Sequence, residues 1–420
     1  MAEPAFLSRS NGGTVIRGAR CALGPRTYTC ASIRIIGGRV AHIVSDTSRS
    51  IGAKAICGEI DLSDFLVMPG LINAHDHLQF ALHPKLADPP YPNYIRWGID
   101  IHNKFPEVIE KYRTVPRDIR LWWGGIRNVL CGVTTVSNHD PLWSELQNEE
   151  FPVRVVRRYG WGHSLALGGD LRAARRALPE RYPFIIHACE GVDEQAREEL
   201  HGLERQGLLD ATTVIVHGLA LDKAGVALMR ERRSSLIVCP SSNRFLYGRL
   251  PDMALFGTID DIALGNDSPL TADGDLLDEI RFAIKFCGIP SETVYRMVTE
   301  AAAAVLRLGD AEGRISVGGV GDLIAVRDTG RDPAEVLSTL SMHDVEFVMI
   351  GGRVQLVSET IWERLPLKIK ASLEALWIDG TVRWLRAPVE ALLRQSENVL
   401  GAGLVRLGGR PVRLPTWSGA

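Results

Sequence analysis

The chain has 420 residues, of which 45% are hydrophobic and 23% charged, with a formal net charge of −2. That balance is the one of a folded globular protein, long enough for a large domain beside a smaller one, and it excludes a general nucleic-acid or anionic-membrane binder. Seven cysteines without a C-x-x-C pair exclude a disulfide frame and a cysteine-rich zinc module.

The N-terminal stretch "MAEPAFLSRSNGG" has no basic region followed by an apolar core, and no apolar run reaches the ~18 residues of a membrane span, so a cytoplasmic location is expected. The first clear element is "IRIIGGRVAHIV" (33–44), two β-rich runs around a Gly-Gly pair, which reads as a hairpin. From residue 65 the pattern changes to buried-type strands alternating with amphipathic helices. The strands are expected at 65–73, 132–138, 152–160, 183–188, 212–218, 235–240 and 261–266. Helices fall between them at 117–131, 193–207 and 275–286, the second with Ala196, Leu200 and Leu203 on one face. Alternation of this kind implies an α/β fold with a parallel sheet, most simply a (β/α)8 barrel. Seven strands are clear. Either an eighth is hidden in "WGHSLALGG" or the barrel is irregular between 161 and 182.

Beyond the barrel come a strand at 321–328 and a second Gly-Gly hairpin, "FVMIGGRVQLV" (347–357). A segment expected to be helical follows at 361–396, with "ASLEALWI" and "APVEALLRQ" as its apolar stripes, and then a third hairpin, "VRLGGRPVRL" (405–414). β-Rich ends predict a composite β-sandwich built from residues 1–65 and 311–420, beside a barrel over 66–310.

The chemistry-bearing residues gather at the strand ends, where barrel enzymes build their sites. In "VMPGLINAHDHL" (67–78), strand alternation turns His75 and His77 one way and Asp76 the other. "FIIHACEG" carries His187 and Glu190, "VIVHGLALD" ends in His217, and "IALGNDSPL" ends in Asp267. A lone histidine is more often a satisfied core residue than a ligand, but four of them with two carboxylates at strand mouths point to a metal site.

These segments, together with "CPSSN" and the stretch "TEAAAAVLRLGDAEGRISVGGVGDLIAV", resemble the amidohydrolase superfamily over about residues 14–357. The nearest branch is the mononuclear, deaminase-like one, which includes cytosine deaminase, S-adenosylhomocysteine deaminase and atrazine chlorohydrolase. No lysine stands at a fourth-strand position to bridge two metals. The resemblance implies a barrel with a side β-sandwich and one divalent ion per chain, Zn²⁺ or Fe²⁺, a borderline ion that suits His75, His77, His187 and Asp267. It implies a metal-dependent hydrolase of a non-peptide C–N bond, foremost an aminohydrolase of a heterocyclic or amidine-type small molecule. Hydrolysis of a cyclic amide, imidazolone or N-acyl group is the alternative, and a non-catalytic scaffold the remote one. Asp267 is expected to take a proton from water, His217 to polarise the substrate, and Glu190, one turn past a ligand if a helix starts there, to shuttle a proton to the leaving nitrogen.

His139 in "SNHDPL" and His163 after "YGWG" also follow strands and are carried as substrate contacts. Asp140 reads as a turn or cap, Cys189 and Cys239 as buried fillers, and Asn243 as an amide that orders its loop. The Pro- and aromatic-rich segment 82–105 either packs over the barrel rim or closes on the substrate through Tyr91, Tyr94, Arg96 and Trp97. A small-molecule substrate is expected, with a homodimer kept as the assembly.

Overall fold

The computed structural model describes residues 13–45, 56–272 and 274–416; the reading of the N-terminal stretch falls mostly outside them. Eight short parallel strands form the barrel: Leu71–Asp76, Val133–Asn138, Arg154–Val155, Gly160–Gly162, Phe184–Ala188, Thr213–His217, Ser235–Val238 and Ile262–Leu264. The first three pair in order, and so do the last five. Ile72, Ala74, Ile185, Val214, Val216, Ile237 and Ala263 fill the interior in one cluster, as the period-2 pattern of each strand requires. The first and eighth strands meet beyond Leu264, where the amide of Asp267 donates to the carbonyl of His75 at 3.1 Å. A Cβ on Gly265 would lie 2.5 Å from that of His75, so only glycine permits the approach.

Three sequence expectations need correction. The run 152–160 is not one strand. It contributes Arg154–Val155 to the second strand's edge, and the chain then forms Gly160–Gly162, which pairs with Phe184–Ile186. The strand missing from the sequence reading, fourth in barrel order, therefore starts just ahead of "WGHSLALGG". It is hard to read because two of its three residues are glycines. Added Cβ atoms there would press on Leu178 at 2.6 Å and Leu171 at 2.5 Å.

The run 65–73 likewise breaks at Gly70. Phe65–Pro69 leaves the barrel and lies antiparallel to Leu323–Arg327 on one side and parallel to Arg20–Cys21 on the other. That strand joins the two chain ends into one twelve-stranded sheet. The three Gly-Gly hairpins belong to this region. Both glycines of each pair have positive φ: 58° and 80° at 37–38, 54° and 75° at 351–352, 55° and 82° at 408–409.

The third correction concerns 361–396. Helices occupy Glu359–Arg364, Leu367–Lys370 and Val389–Leu400, but "ASLEALWI" runs into the strand Glu374–Ile378, paired antiparallel with Thr381–Leu385. Asp379 and Gly380 turn the chain at φ 44° and 87°. An Asp-Gly pair is a strong hairpin signal, and pairing with Arg410–Arg413 overrides the helix preference of Leu, Glu and Ala. Among the described residues, no helix is long and apolar enough to cross a membrane.

Candidate active site

The barrel mouth gathers six imidazoles. Ile72 and Ala74 face the interior, and a register irregularity between Asn73 and Asp76 re-phases the first strand against the second. His75 and His77 thereby enter the mouth, with ring centroids 5.0 Å apart. Asp76 turns away, accepting from Arg127 Nη2 and Asn128 Nδ2, both at 2.7 Å. His187 brings its Nε2 to 3.2 Å from His75 Nε2. Asp267 Oδ1 lies 3.7 Å from the Nε2 atoms of both His75 and His77.

Two neutral imidazoles gain little from aiming lone pairs at each other. Nitrogens bound at about 2.0–2.1 Å to one tetrahedral ion would stand about 3.3 Å apart, so this donor set fits a divalent metal. The ligand atoms of His75, His77 and His187 all lie within 4.8 Å of one another.

Electrostatics keep His75, His187 and Asp267 in their ligating forms. Burial holds the His75 imidazole below its usual pKa and, helped by neighbouring histidines, holds His187 well below. His77 differs: burial opposes its charge, but the hydrogen bond to Asp140, with Asp140 and Asp267 as nearby charges, raises it to about 9. For Asp267 burial opposes ionisation too. It is outweighed by His75, His217 and His77, and the carboxyl stays well below its ordinary range. Asp267 Oδ2 accepts from Ser242 Oγ at 2.7 Å and Thr271 Oγ1 at 3.0 Å, and its Oδ1 from the Ser268 amide at 2.8 Å.

The expected helix at Glu190 is absent. The following helix starts at Glu194 behind the N-cap Asp193. A left-handed turn at Cys189, φ 56°, precedes Glu190, which is buried. Its Oε1 accepts from Tyr247 Oη at 2.7 Å and its Oε2 lies 3.7 Å from His217 Nε2. Burial raises Glu190 to about 8 despite the Tyr247 hydrogen bond. His217, pushed down to about 3 by burial, is neutral. Asn243 Nδ2 meets its Nδ1 at 3.1 Å, which leaves the ring proton on Nε2, toward Glu190.

His139 and His163 join the cluster. The His139 ring lies 3.9 Å from that of His187, with both of its nitrogens buried and unpartnered; the His163 ring lies 5.2 Å from His187. Tyr94 and Trp97 commit their polar ends elsewhere: Tyr94 Oη donates to Glu199 at 2.8 Å, and Trp97 Nε1 to the Leu86 carbonyl at 2.9 Å. Tyr91 donates to Asp100, and Arg96 is exposed. Segment 82–105 thus engages the polar ends of Tyr91, Tyr94 and Trp97 within the protein, while the Tyr94 ring lies 6.5 Å from that of His163.

Several participants were not legible as such. Asp140 is no mere cap: its Oδ2 sits 3.1 Å from His77 Nδ1 and accepts from Gln79 Nε2 at 2.7 Å. Its place directly after a strand-end histidine was the only sequence signal. Tyr247 had none. "CPSSN" was visible as a motif, but not the separate tasks of Ser242 on Asp267 and Asn243 on His217. Behind it, Glu279 accepts from the Ser241 amide at 2.8 Å and from its hydroxyl, and burial pushes this carboxyl up to about 8. A raised carboxyl favours the folded state below its unfolded pKa of about 4.3, and that stability is lost as pH rises through the folded value. Glu279→Gln is thus expected to raise the melting temperature over wild type near pH 8.5 and to match it near pH 4.5. Equal shifts at both pH values would contradict the assignment.

Comparison with known proteins is consistent with this geometry. A family model described as "Amidohydrolase family" matches residues 172–355. A 5-methylthioadenosine/S-adenosylhomocysteine deaminase of Haloarcula marismortui is 27% identical over 64% of this chain and 74% of its own length. One of Syntrophobacter fumaroxidans is 26% identical over 78% of this chain and 89% of its own. The crystal structure of atrazine chlorohydrolase from Arthrobacter aurescens complexed with zinc superposes with a TM-score of 0.68 at 16% identity, over 92% of this chain and 99% of that one. At that identity the structural likeness speaks for the fold.

Proposed function

We propose that this chain, which belongs to the amidohydrolase superfamily and is a hydrolase of non-peptide carbon–nitrogen bonds, is an aminohydrolase that replaces an exocyclic amine of a small heterocycle with oxygen. The relatives named as deaminases of adenosine derivatives make an adenine-type ring the first candidate. The observation that carries the reading is Glu190, a buried carboxyl that retains its proton near neutrality beside the imidazole cluster. Amide ion is a very poor leaving group, so a reaction that expels ammonia needs such an acid.

His75, His77, His187 and Asp267 would hold one divalent ion, Zn²⁺ or Fe²⁺. Bound there, it would supply Lewis acidity and lower the pKa of water toward ~7. Asp267 has its Oδ2 held by Ser242 and Thr271 and its Oδ1 met by the Ser268 amide, so the remaining lone pair of Oδ1, on the side of His75 and His77, would take the proton of the attacking water. His217 is fixed by Asn243 as an Nε2–H donor and orients the substrate ring. Glu190 delivers its proton to the departing nitrogen. His139 and His163 serve as substrate contacts, while Tyr94 and Trp97 shape the rim. We place the chain in the cytoplasm as part of this reading, where thiols such as those of Cys30, Cys131, Cys189, Cys239 and Cys287 stay reduced.

Ammonia release should be measured on adenosine, 5-methylthioadenosine, S-adenosylhomocysteine, pterins and pyrimidines, beside a panel of cyclic and N-acyl amides. Ammonia from a heterocycle is expected. Turnover confined to the amides would replace this reading.

Asp140 orients His77 so that Nδ1 carries the proton and Nε2 faces the metal position. Asp140→Ala is expected to weaken metal binding by about 10–100-fold, the usual scale for such outer carboxylates. Asp140→Asn, which can still accept from Nδ1–H, should lose less. Competition with a chelator of known affinity checks both.

A further inference from the structure

The C-terminal segment after residue 358 lies outside the family resemblance, yet it packs against the barrel at three points. The backbone amide of Gly408, in the turn of the last hairpin, donates to the Ala81 carbonyl at 3.2 Å, in the loop that follows His77. Arg410 Nη1 donates to Asp275 Oδ2 at 2.9 Å and Nη2 to Asp278 Oδ2 at 2.5 Å. Those aspartates open the helix Leu276–Cys287, at the end of the loop that carries Asp267, and Asp275 is its N-cap. Further back, Ser396 on the helix Val389–Leu400 accepts from Trp123 Nε1 at 2.9 Å.

Trp123 lies one turn before Arg127, and Arg127 ties the ligand strands together. Its Nη2 donates to Asp76 Oδ1 at 2.7 Å, between His75 and His77, and to the Asp267 carbonyl at 3.1 Å. Its Nη1 donates to the Gly274 carbonyl at 3.2 Å. The hairpin abuts the same place: a Cβ on Gly408 would lie 2.7 Å from the Gly274 oxygen and 3.5 Å from Arg127 Cδ. The eighth-strand loop and the first strand thus converge on one guanidinium, and the tail packs on the Gly274 carbonyl that this guanidinium also binds. Arg127 is 3% exposed, with both terminal nitrogens hydrogen-bonded.

We propose that the C-terminal hairpin is a strut of the metal centre, in which Arg410 and Gly408 clamp the loop bearing Asp267 against the loop that follows His77. Arg410 is a positioning residue: it touches neither substrate nor metal. The proposal rests on the metal reading above for its consequence, but not for its geometry. A loop free to move carries Asp267 away from His75 and His77, and the ion escapes faster.

The test compares wild type with Arg410→Ala, Arg410→Lys and Arg413→Ala. Arg413 is exposed on the same strand and stacks on the Trp377 ring 4.1 Å away, so its loss perturbs the tail without touching the loop. Metal release into excess chelator is followed on the full chain, beside hydrogen exchange of peptides covering 266–280 and global unfolding by pulse proteolysis. Arg410→Ala is expected to release metal at least ~10-fold faster than wild type, with faster exchange in 266–280 and an unfolding rate too slow to account for the release. Arg410→Lys, which keeps the charge but not the fork, should fall between, and Arg413→Ala should match wild type. Unchanged exchange in 266–280 overturns the strut, whether or not metal is present. Release that merely tracks global unfolding, or equal effects of Arg410→Ala and Arg413→Ala, also overturns it. Wild type that takes up no metal refutes the metal reading alone, and the exchange result then still decides on the strut. If Arg410→Ala does not fold, Gly408→Ala pushes on the Gly274 carbonyl and is read in the same way.

Discussion

Replacing His187 with alanine is expected to give a folded protein that has lost its metal and turns over no substrate. Wild type, purified gently, should carry about one divalent ion per chain, since four protein ligands make one site. His187 would be the ligand supplied by the far wall of the barrel. Its Nε2 is 3.2 Å from that of His75. Removing it leaves two histidines from one strand and a carboxylate 3.7 Å from each, a set open on one side. The substituted site is buried, so some stability goes as well, about 1–3 kcal/mol for a typical core change, which a domain of this size survives. Elemental analysis and circular dichroism on the same preparation separate the outcomes. A folded variant with full metal content removes His187 from the ligand set. Two ions per wild-type chain would place the protein with binuclear enzymes instead.

Glu190→Gln should behave in the opposite way: metal content intact, turnover slowed by at least ~10²-fold, the scale of a lost general acid–base. Glutamine keeps the shape, and its amide oxygen still accepts from Tyr247 Oη, which holds Glu190 Oε1 at 2.7 Å in wild type. What it lacks is the proton. The loss should therefore be largest for an amine leaving group and smaller for a chloro analogue of the same ring, whose leaving group needs no proton. Equal losses on both would mean that Glu190 orients the ring. A variant emptied of metal would make Glu190 a ligand, and an unchanged rate would pass the acid role to His217 or to a residue outside these motifs.

The sequence by itself determined the local devices. Gly-Gly pairs fixed three hairpins, because two consecutive positive φ angles admit little else. Apolar runs with period-2 alternation set the interior layer, and the polar residues that end those runs, His75, His77, His187, His217 and Asp267, had to emerge at one face of a parallel barrel. Where the local signal was thin or conflicted, tertiary structure decided. Gly160–Gly162 is a strand because its neighbour at Phe184–Ile186 supplies the pairing and its missing side chains make room for Leu171 and Leu178. Residues 374–378 are a strand because a partner on each side outweighs helix preference.

The supporting shell lay furthest from reach. His77 finds Asp140 63 residues away, Asp76 finds Arg127 at 51, and Asn73 finds Asn266 at 193. A side chain's own neighbours in sequence say which face of a strand it occupies, but not which distant carboxylate or guanidinium will meet it there. That choice depends on closing the barrel, on the bulge between Asn73 and Asp76, and on a C-terminal hairpin whose contacts with Ala81 and Asp275 exist only once both ends of the chain have folded against the mouth.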